Sequence, residues 1–444
     1  MMSFDAKRVV NLVADYGADP TGTNAANSAL QNAFDYLAAN DGTALYVPPG
    51  DFRLTRTVDG TAGQMYAASI MRGTVFGDGD ASHFYLDPAA SNPSRYYLIR
   101  VGRRTVGTTG PVTISGIRLS GNESVIGGSS VMGIAARHDD AATRDSISSD
   151  DVSVSNVTFE DVAVGVGSTK GGASLDNSPE NRFKRWHVDH IKVLTCSNKA
   201  VEFGDVIDAY VGDSYFSDVY DGPQAIYNCS QVWIVRNRVY YRGSGINITH
   251  ECEDFWIIDN YVEADSTVAA NSALMLRTEP FTGSTTTIQR GVIRGNTFIN
   301  GGTAGAPLSL LFQIRPTITS LTVKDVLFDG NYFSARSHLY DADDPTKNIA
   351  SGLRFVNNRF GMVFAVATAA SQIKHVTITR NTFEAANQIS GGGRFDLESN
   401  IFKAGLTLGS GTSNFTSYRD LTNTGSVTDS GTGNSVTSTR TYTP

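Results

Sequence analysis

Cysteine is scarce in this chain. The three that occur among 444 residues, Cys196, Cys229 and Cys252, are too few for a disulfide framework, so packing and hydrogen bonding must hold the core. Charge is scarce as well, at 18% of residues, against about 25% in an average globular protein. Lys and Arg number 36 against 44 Asp and Glu, for a net charge of −8. Without a basic face the chain offers nucleic acid no footprint, although a local basic site could still bind a polyanion. No apolar run reaches membrane-spanning length. The opening MMSFDAKRVVNLVADYG lacks an apolar signal-peptide core, so no Sec export signal is expected.

What is abundant is repetition. Residues 232–241 read VWIVRNRVYY and residues 255–264 read FWIIDNYVEA. Superposed with an offset of 23, Trp233 meets Trp256, Asn237 meets Asn260 and Val239 meets Val262. Asn followed two residues later by Val or Phe recurs at Asn237, Asn260, Asn296, Asn331, Asn358, Asn381 and Asn400. The steps are 23, 36, 35, 27, 23 and 19 residues, and Ser214, Ile191, Val157 and Ile117 occupy the same slot upstream. A further short strand recurs between the motifs as AVEF, AIYN, GINI, ALML and PLSL. Each repeat thus reads strand, Asn turn, strand, loop, strand, loop, with the length variation confined to loops. A solenoid of β-strands tolerates such uneven periods, because each coil pairs with the next at about 4.8 Å and identical polar residues stack into ladders.

The start of the chain supplies an end cap. In NSALQNAFDYLAANDG, Leu30, Phe34 and Leu37 share one helical face and Gly42 supplies a stop. Such a helix can cover the first open edge of a solenoid. The expected organisation is a capping segment over 1–60, coils over 61–402, and a final coil with a tail over 403–444. The segments DYGADPTG, ALQNAFDYLA and ALYVPPGDFRL, together with the Asn ladder, resemble the pectate-lyase-like right-handed β-helix superfamily, phage tailspikes included. That resemblance covers residues 8–402. It implies an all-β, single-stranded right-handed parallel β-helix with an N-terminal capping helix. It also implies a carbohydrate substrate along the outer face of the first strand of each coil, and a homotrimer. VTDSGTGNSVTS and PPGDF are similar, more weakly, to inulin fructotransferases. Compartment stays open between cytoplasmic, virion-associated, and secreted with the signal trimmed.

That first-strand wall is where candidate chemistry is expected. Alternation is expected to turn Val201, Ile226, Ile246 and Leu274 inward and Glu202, Tyr227, Asn247 and Met275 outward. Flanking loops are expected to add Asp218, Asp221 and Arg242 on one side, and Asp205, His250, Glu251, Glu253, Asp254, Arg277 and Glu279 on the other. Two carboxylates across a sugar ring give glycoside hydrolysis or transfer, one as acid and one as base or nucleophile. Asp221 with Glu251 is the preferred pair, Glu202 the reserve, while Asp218, Arg242, Asn247 and Arg277 grip the sugar. The runner-up is a polysaccharide lyase or tailspike depolymerase, with Arg on a uronate carboxylate and Tyr227 or His250 moving the proton. A non-catalytic glycan-binding tail fibre or adhesin is the third reading. Acidic residues in solenoid loops are, for their part, ordinarily solvated turn formers. Zinc spacings are absent, so no metal or cofactor is expected, calcium in loop carboxylates being the one exception left open. Trp233 and Trp256 should stack; facing inward they are core, facing outward a sugar platform or a subunit contact.

Overall fold

The computed structural model describes residues 8–55, 57–58, 64–89, 95–103, 106–126, 131–137, 147–169, 182–265, 271–278, 285–301, 307–313, 320–339, 348–366, 373–389, 393–409, 414–422, 427–437 and 440–441. The long segments 277–290, 312–322 and 334–352 read in the sequence as walls of a cleft, and parts of each, Glu279 included, lie outside these residues. The chain divides into two compact units, Met1–Pro223 and Gln224–Pro444.

In the first unit, one row of parallel strands runs through Arg8–Asn11, Thr43–Val47, Gly73–Gly77, Val112–Ser115, Val152–Ser155, Phe183–Asp189 and Val206–Gly212. A second row stacks Gly50–Leu54, Ser82–Leu86 and Arg118–Ser120 onto the start of Thr158–Thr169. A third stacks Gln64–Ile70, Arg95–Val101 and Val131–Arg137 onto the remainder of that strand. Every coil therefore contributes three strands, as the repeat requires.

The open edge is closed by side chains. The helix Asn27–Ala39 buries Leu30, Ala33, Phe34 and Leu37. Asn27 and Gln31, one turn apart, flank that apolar face and reach strand backbone. Asn27 Nδ2 donates to Thr55 O at 2.6 Å while its Oδ1 accepts from Thr55 N at 2.8 Å. Gln31 does the same for Ser69, with contacts of 3.1 and 2.9 Å. Unpaired strand groups that would otherwise template another strand are thereby satisfied.

In the second unit the Asn ladder forms as expected. Each ladder Asn from Asn260 to Asn400 receives, on its Oδ1, both the backbone N–H and the Nδ2–H of the Asn one coil earlier. For Asn296 onto Asn331 those contacts are 3.0 and 2.9 Å, and for Asn331 onto Asn358 both are 2.9 Å. The ladder continues past Asn400 to Asp420, which accepts from Asn400 N at 2.7 Å. Beside it Phe298, Phe333, Phe360, Phe383 and Phe402 stack at 5.3, 5.1, 4.9 and 4.6 Å. This explains the Asn-x-Phe spelling, since two residues on from the corner the side chain again points into the core.

The corner has a second signature. The residue before each ladder position is left-handed: Arg236, Asp259, Gly295, Gly330, Asn357, Arg380, Ser399 and Arg419. The same holds in the first unit at Gly116, Asn156, His190 and Asp213, immediately before Ile117, Val157, Ile191 and Ser214. The upstream slots are thus true corners that lack the Asn. Gly, Asn and Asp are the residues that enter this region at least cost. Cys229 and Cys252 are free, buried and play one role in successive coils, donating to Ile226 O and Thr249 O at 3.1 and 2.9 Å.

Candidate active site

The register of the first strands corrects the expected wall. Gln224, not Tyr227, pairs with Asn247, and Asn247 pairs in turn with Met275. Strand Tyr215–Ile226 stops because Tyr227 and Asn228 both turn left-handed, at φ 57° and 48°. The wall is also not open where it was expected. Gln224, Asn247 and Met275 are buried, and the row becomes exposed only towards Gln388 and Thr407. Asp218, Asp221 and Arg242 lie within strands rather than in loops, in Tyr215–Ile226 and Arg238–Ser244.

What does converge in the second unit lies at the end of that row. Tyr227 and His250 meet edge to face, ring centroids 6.2 Å apart. His250 Nδ1 and Thr286 Oγ1 are 2.9 Å apart, and Glu251 Oε1 accepts from Thr287 N at 3.2 Å. The backbone N–H of His250 donates to Arg277 O at 3.2 Å. Burial pulls the His250 imidazole down to about 4, so it is neutral at pH 7. A neutral imidazole can take a proton, which an imidazolium cannot. Tyr227 and Glu251 are half-buried and give access to this group. Asn247 sits behind it in strand Ile246–Thr249, its Oδ1 buried with no partner among the described residues. The left-handed backbone of His250 and Glu251 is no functional mark, since Tyr227 and Asn228 share it.

Other candidates have structural employment. Glu202, buried in strand Lys192–Gly204, pairs with Lys199 at 3.1 Å. Glu253 and Asp254 both hold Arg290, at 2.6 and 2.7 Å. Asp221 is buried in the first unit and Glu251 belongs to the second; each is placed by its own unit. Trp233 and Trp256 are register partners stacked at 4.6 Å and 8°, half-buried, alternating with buried Val232, Ile234, Phe255 and Ile257. They face outward, so the core reading of the pair is excluded. His187 and Tyr210 form an equivalent stack in the first unit, at 4.5 Å. Among the described residues no group of three His, Cys, Asp or Glu side chains is gathered around one point.

Sequence reasoning missed one surface. In the first unit a groove of about 470 Å³ is lined by His83, Tyr85, Arg118, Ser120, Glu160 and Asp161, among others. His83 lies between Asp51 and Ser120, 2.8 Å from each. Ser120 Oγ is also 3.3 Å from Glu160 Oε2, which pairs with Arg118. These positions precede or open the region where the Asn motif fixes register, so only the pairing of Asp51 with His83 and of His83 with Arg118 would have revealed them.

No protein-family model matches the chain, and no curated protein matches it in sequence. Solved structures do match in three dimensions. The catalytic unit of a GH87 α-1,3-glucanase from Streptomyces thermodiastaticus is 17% identical with a TM-score of 0.50, over 96% of this chain and 68% of that one. The Streptococcus pneumoniae surface protein and adhesin PfbA is 13% identical with a TM-score of 0.51, over 96% and 99%. The tailspike of E. coli bacteriophage HK620, in complex with a hexasaccharide, is 12% identical with a TM-score of 0.50, over 96% and 77%. The chain has the right-handed parallel β-helix fold. At these identities the likeness fixes the β-helix and nothing about its chemistry.

Proposed function

We propose that this β-helix acts on a carbohydrate polymer. The observation that carries the reading is the group at the end of the first-strand row, where Tyr227 packs on neutral His250, His250 and Glu251 contact Thr286 and Thr287, and the backbone of Arg277 accepts from His250. It joins a proton-transfer group and a carboxylate on one small surface, groups that sugar chemistry uses. The glucanase and the hexasaccharide-bound tailspike support a glycan as the partner, as two proteins of the same fold.

The first reading is glycosidic bond cleavage or intramolecular transfer by acid/base carboxylates, for which Asp221, Glu251 and Glu202 are the sequence candidates, each judged within its own unit. It needs no cofactor. A second reading is favoured by the contact of neutral His250 with Tyr227: a polysaccharide lyase, with Arg277 neutralising a uronate. The PfbA likeness keeps a non-catalytic glycan-binding adhesin as the third.

One experiment separates them. The protein is incubated with fructans, neutral glycans and uronate polymers, and products are followed by mass and ultraviolet absorbance. Products that gain water support hydrolysis, and Asp221→Asn and Glu251→Gln should then each lower turnover at least about 100-fold. Products lacking water that absorb support the lyase and move the assignment to Tyr227, His250 and Arg277. Products lacking water without absorbance support a transferase. No product from any polymer removes the enzyme readings.

A further inference from the structure

We propose that the groove of the first unit is a separate catalytic centre, a serine esterase site in which Ser120 is the nucleophile, His83 its base and Asp51 the residue that orients the base. The chemical class it takes is an O-acyl ester, such as an acetyl group on a sugar hydroxyl.

Three neighbouring strands build the site. Asp51, His83 and Arg118 are register partners on Gly50–Leu54, Ser82–Leu86 and Arg118–Ser120. Buried Phe52, Phe84 and Leu119 alternate with them, so the three side chains project from the outer face about one strand spacing apart. Ser120 lies two residues beyond Arg118 and returns to that face. Asp51 Oδ1 stands 2.8 Å from His83 Nδ1, and His83 Nε2 stands 2.8 Å from Ser120 Oγ. An ionised carboxylate can only accept, so Nδ1 carries the proton and donates it to Asp51. The Nε2 lone pair is left to receive the Ser120 O–H. This is the order nucleophile, base, orienting carboxylate that activates a hydroxyl.

A hydrogen-bonded row on the outside of a solenoid can be purely structural, and two features separate this one from that. The Asp51 side chain is 69% exposed and the His83 side chain 16%. Water would serve Asp51 as well as His83 does, so the pairing does more for the imidazole than for the carboxylate. Ser120 also lines an open groove of about 470 Å³ rather than a packed interface. Glu160 competes for the Ser120 proton from 3.3 Å, farther than His83, and the same Oε2 is held by Arg118. Arg118, one carboxylate oxygen away from Ser120, offers a guanidinium to an oxyanion formed there.

In the first step Ser120 Oγ bonds to the acyl carbon while its proton passes to His83 Nε2. The bond from that carbon to the alcohol oxygen then breaks, and the departing oxygen takes the proton from His83. Water, deprotonated by His83, attacks the acyl-serine and releases a carboxylic acid and free Ser120. No oxidant, reductant or metal enters the balance. The serine chemistry stands apart from the glycan reading above; only the choice of a sugar ester rests on it.

The test uses the full chain with a fluorophosphonate probe, p-nitrophenyl acetate, and a chemically O-acetylated glucan. We expect mass spectrometry to find the probe on Ser120, and Ser120→Ala and His83→Ala to lower ester hydrolysis at least about 100-fold with unchanged circular dichroism. Asp51→Asn, at an exposed position, should lower kcat with KM unchanged and alter the pH profile, which a merely structural carboxylate would not do. Probe on Ser120 with p-nitrophenyl acetate turnover but no acetate from the glucan would keep the nucleophile and overturn the sugar ester. An unlabelled Ser120, or ester turnover indifferent to Ser120→Ala, would overturn the site.

Discussion

At the residue scale, single buried side chains make testable contributions to the stability of this β-helix. His250 is the clearest case. Burial lowers it to about 4 from an ordinary 6.5, so between those values the unfolded chain binds a proton that the folded chain refuses. Stability is therefore complete above about 6.5, falls as pH drops towards about 4, and levels off below. Denaturant unfolding at pH 7, 5.5 and 4 should show this decline, and His250→Asn should flatten it; an equal slope in both proteins would contradict the buried neutral imidazole. Asn331 presents a different balance. It accepts twice from Asn296 and donates to Asn358 and to Ile293 O. Asn331→Ala strands several buried groups and should cost about 3 kcal/mol, read from chemical denaturation. Arg380, exposed and left-handed at φ 55°, should behave in the opposite sense. Arg380→Gly should raise stability by up to about 1 kcal/mol, because relief of the Cβ clash exceeds the added chain entropy.

At the element scale, the capping helix and the corners show what a sequence can say about such a fold. Replacing Asn27 and Gln31 together with Ala keeps the apolar face of Asn27–Ala39 but unbinds four edge contacts to Thr55 and Ser69. The thermal midpoint should fall, with a loss of about 2–3 kcal/mol, and an unchanged midpoint would mean that water caps the edge equally well. The helix was legible because its apolar spacing is local. The ladder was legible because its geometry demands one residue type in one slot, and it escaped notice only at Asp420, where a carboxylate oxygen replaces the amide oxygen. The first-strand register was misread for an instructive reason. AIYN and GINI look alike when slid by 20 residues, whereas the coil advances by 23, which sets Gln224 beside Asn247. An odd slip exchanges the two faces of a strand, so Tyr227 was placed on a wall it does not join. The Asp51, His83 and Ser120 row was illegible for want of a ladder, since nothing in the first coils repeats strongly enough to set register.

At the scale of the whole molecule, the outward pair Trp233 and Trp256 bears on assembly. Two stacked indoles, half-buried on the outside of a β-helix, form an apolar strip that a monomer gains nothing by showing to water. We expect it to be a subunit contact in a homotrimer, the assembly implied by the tailspike resemblance. Light scattering of the native protein should then give three times the 47.5 kDa of the chain. Trp233→Ser with Trp256→Ser should give the mass of one chain, with the fold retained because Val232, Ile234, Phe255 and Ile257 still fill the interior. A wild-type protein that already runs as a single chain would exclude the contact and leave the indoles as a stacking platform for sugar rings. In that case the same double variant should weaken glycan binding about tenfold or more, the loss of roughly 1.4 kcal/mol of ring stacking, and leave the molecular mass alone. Both outcomes use one variant and one pair of measurements, and they divide because a subunit contact changes mass first whereas a sugar platform changes affinity alone.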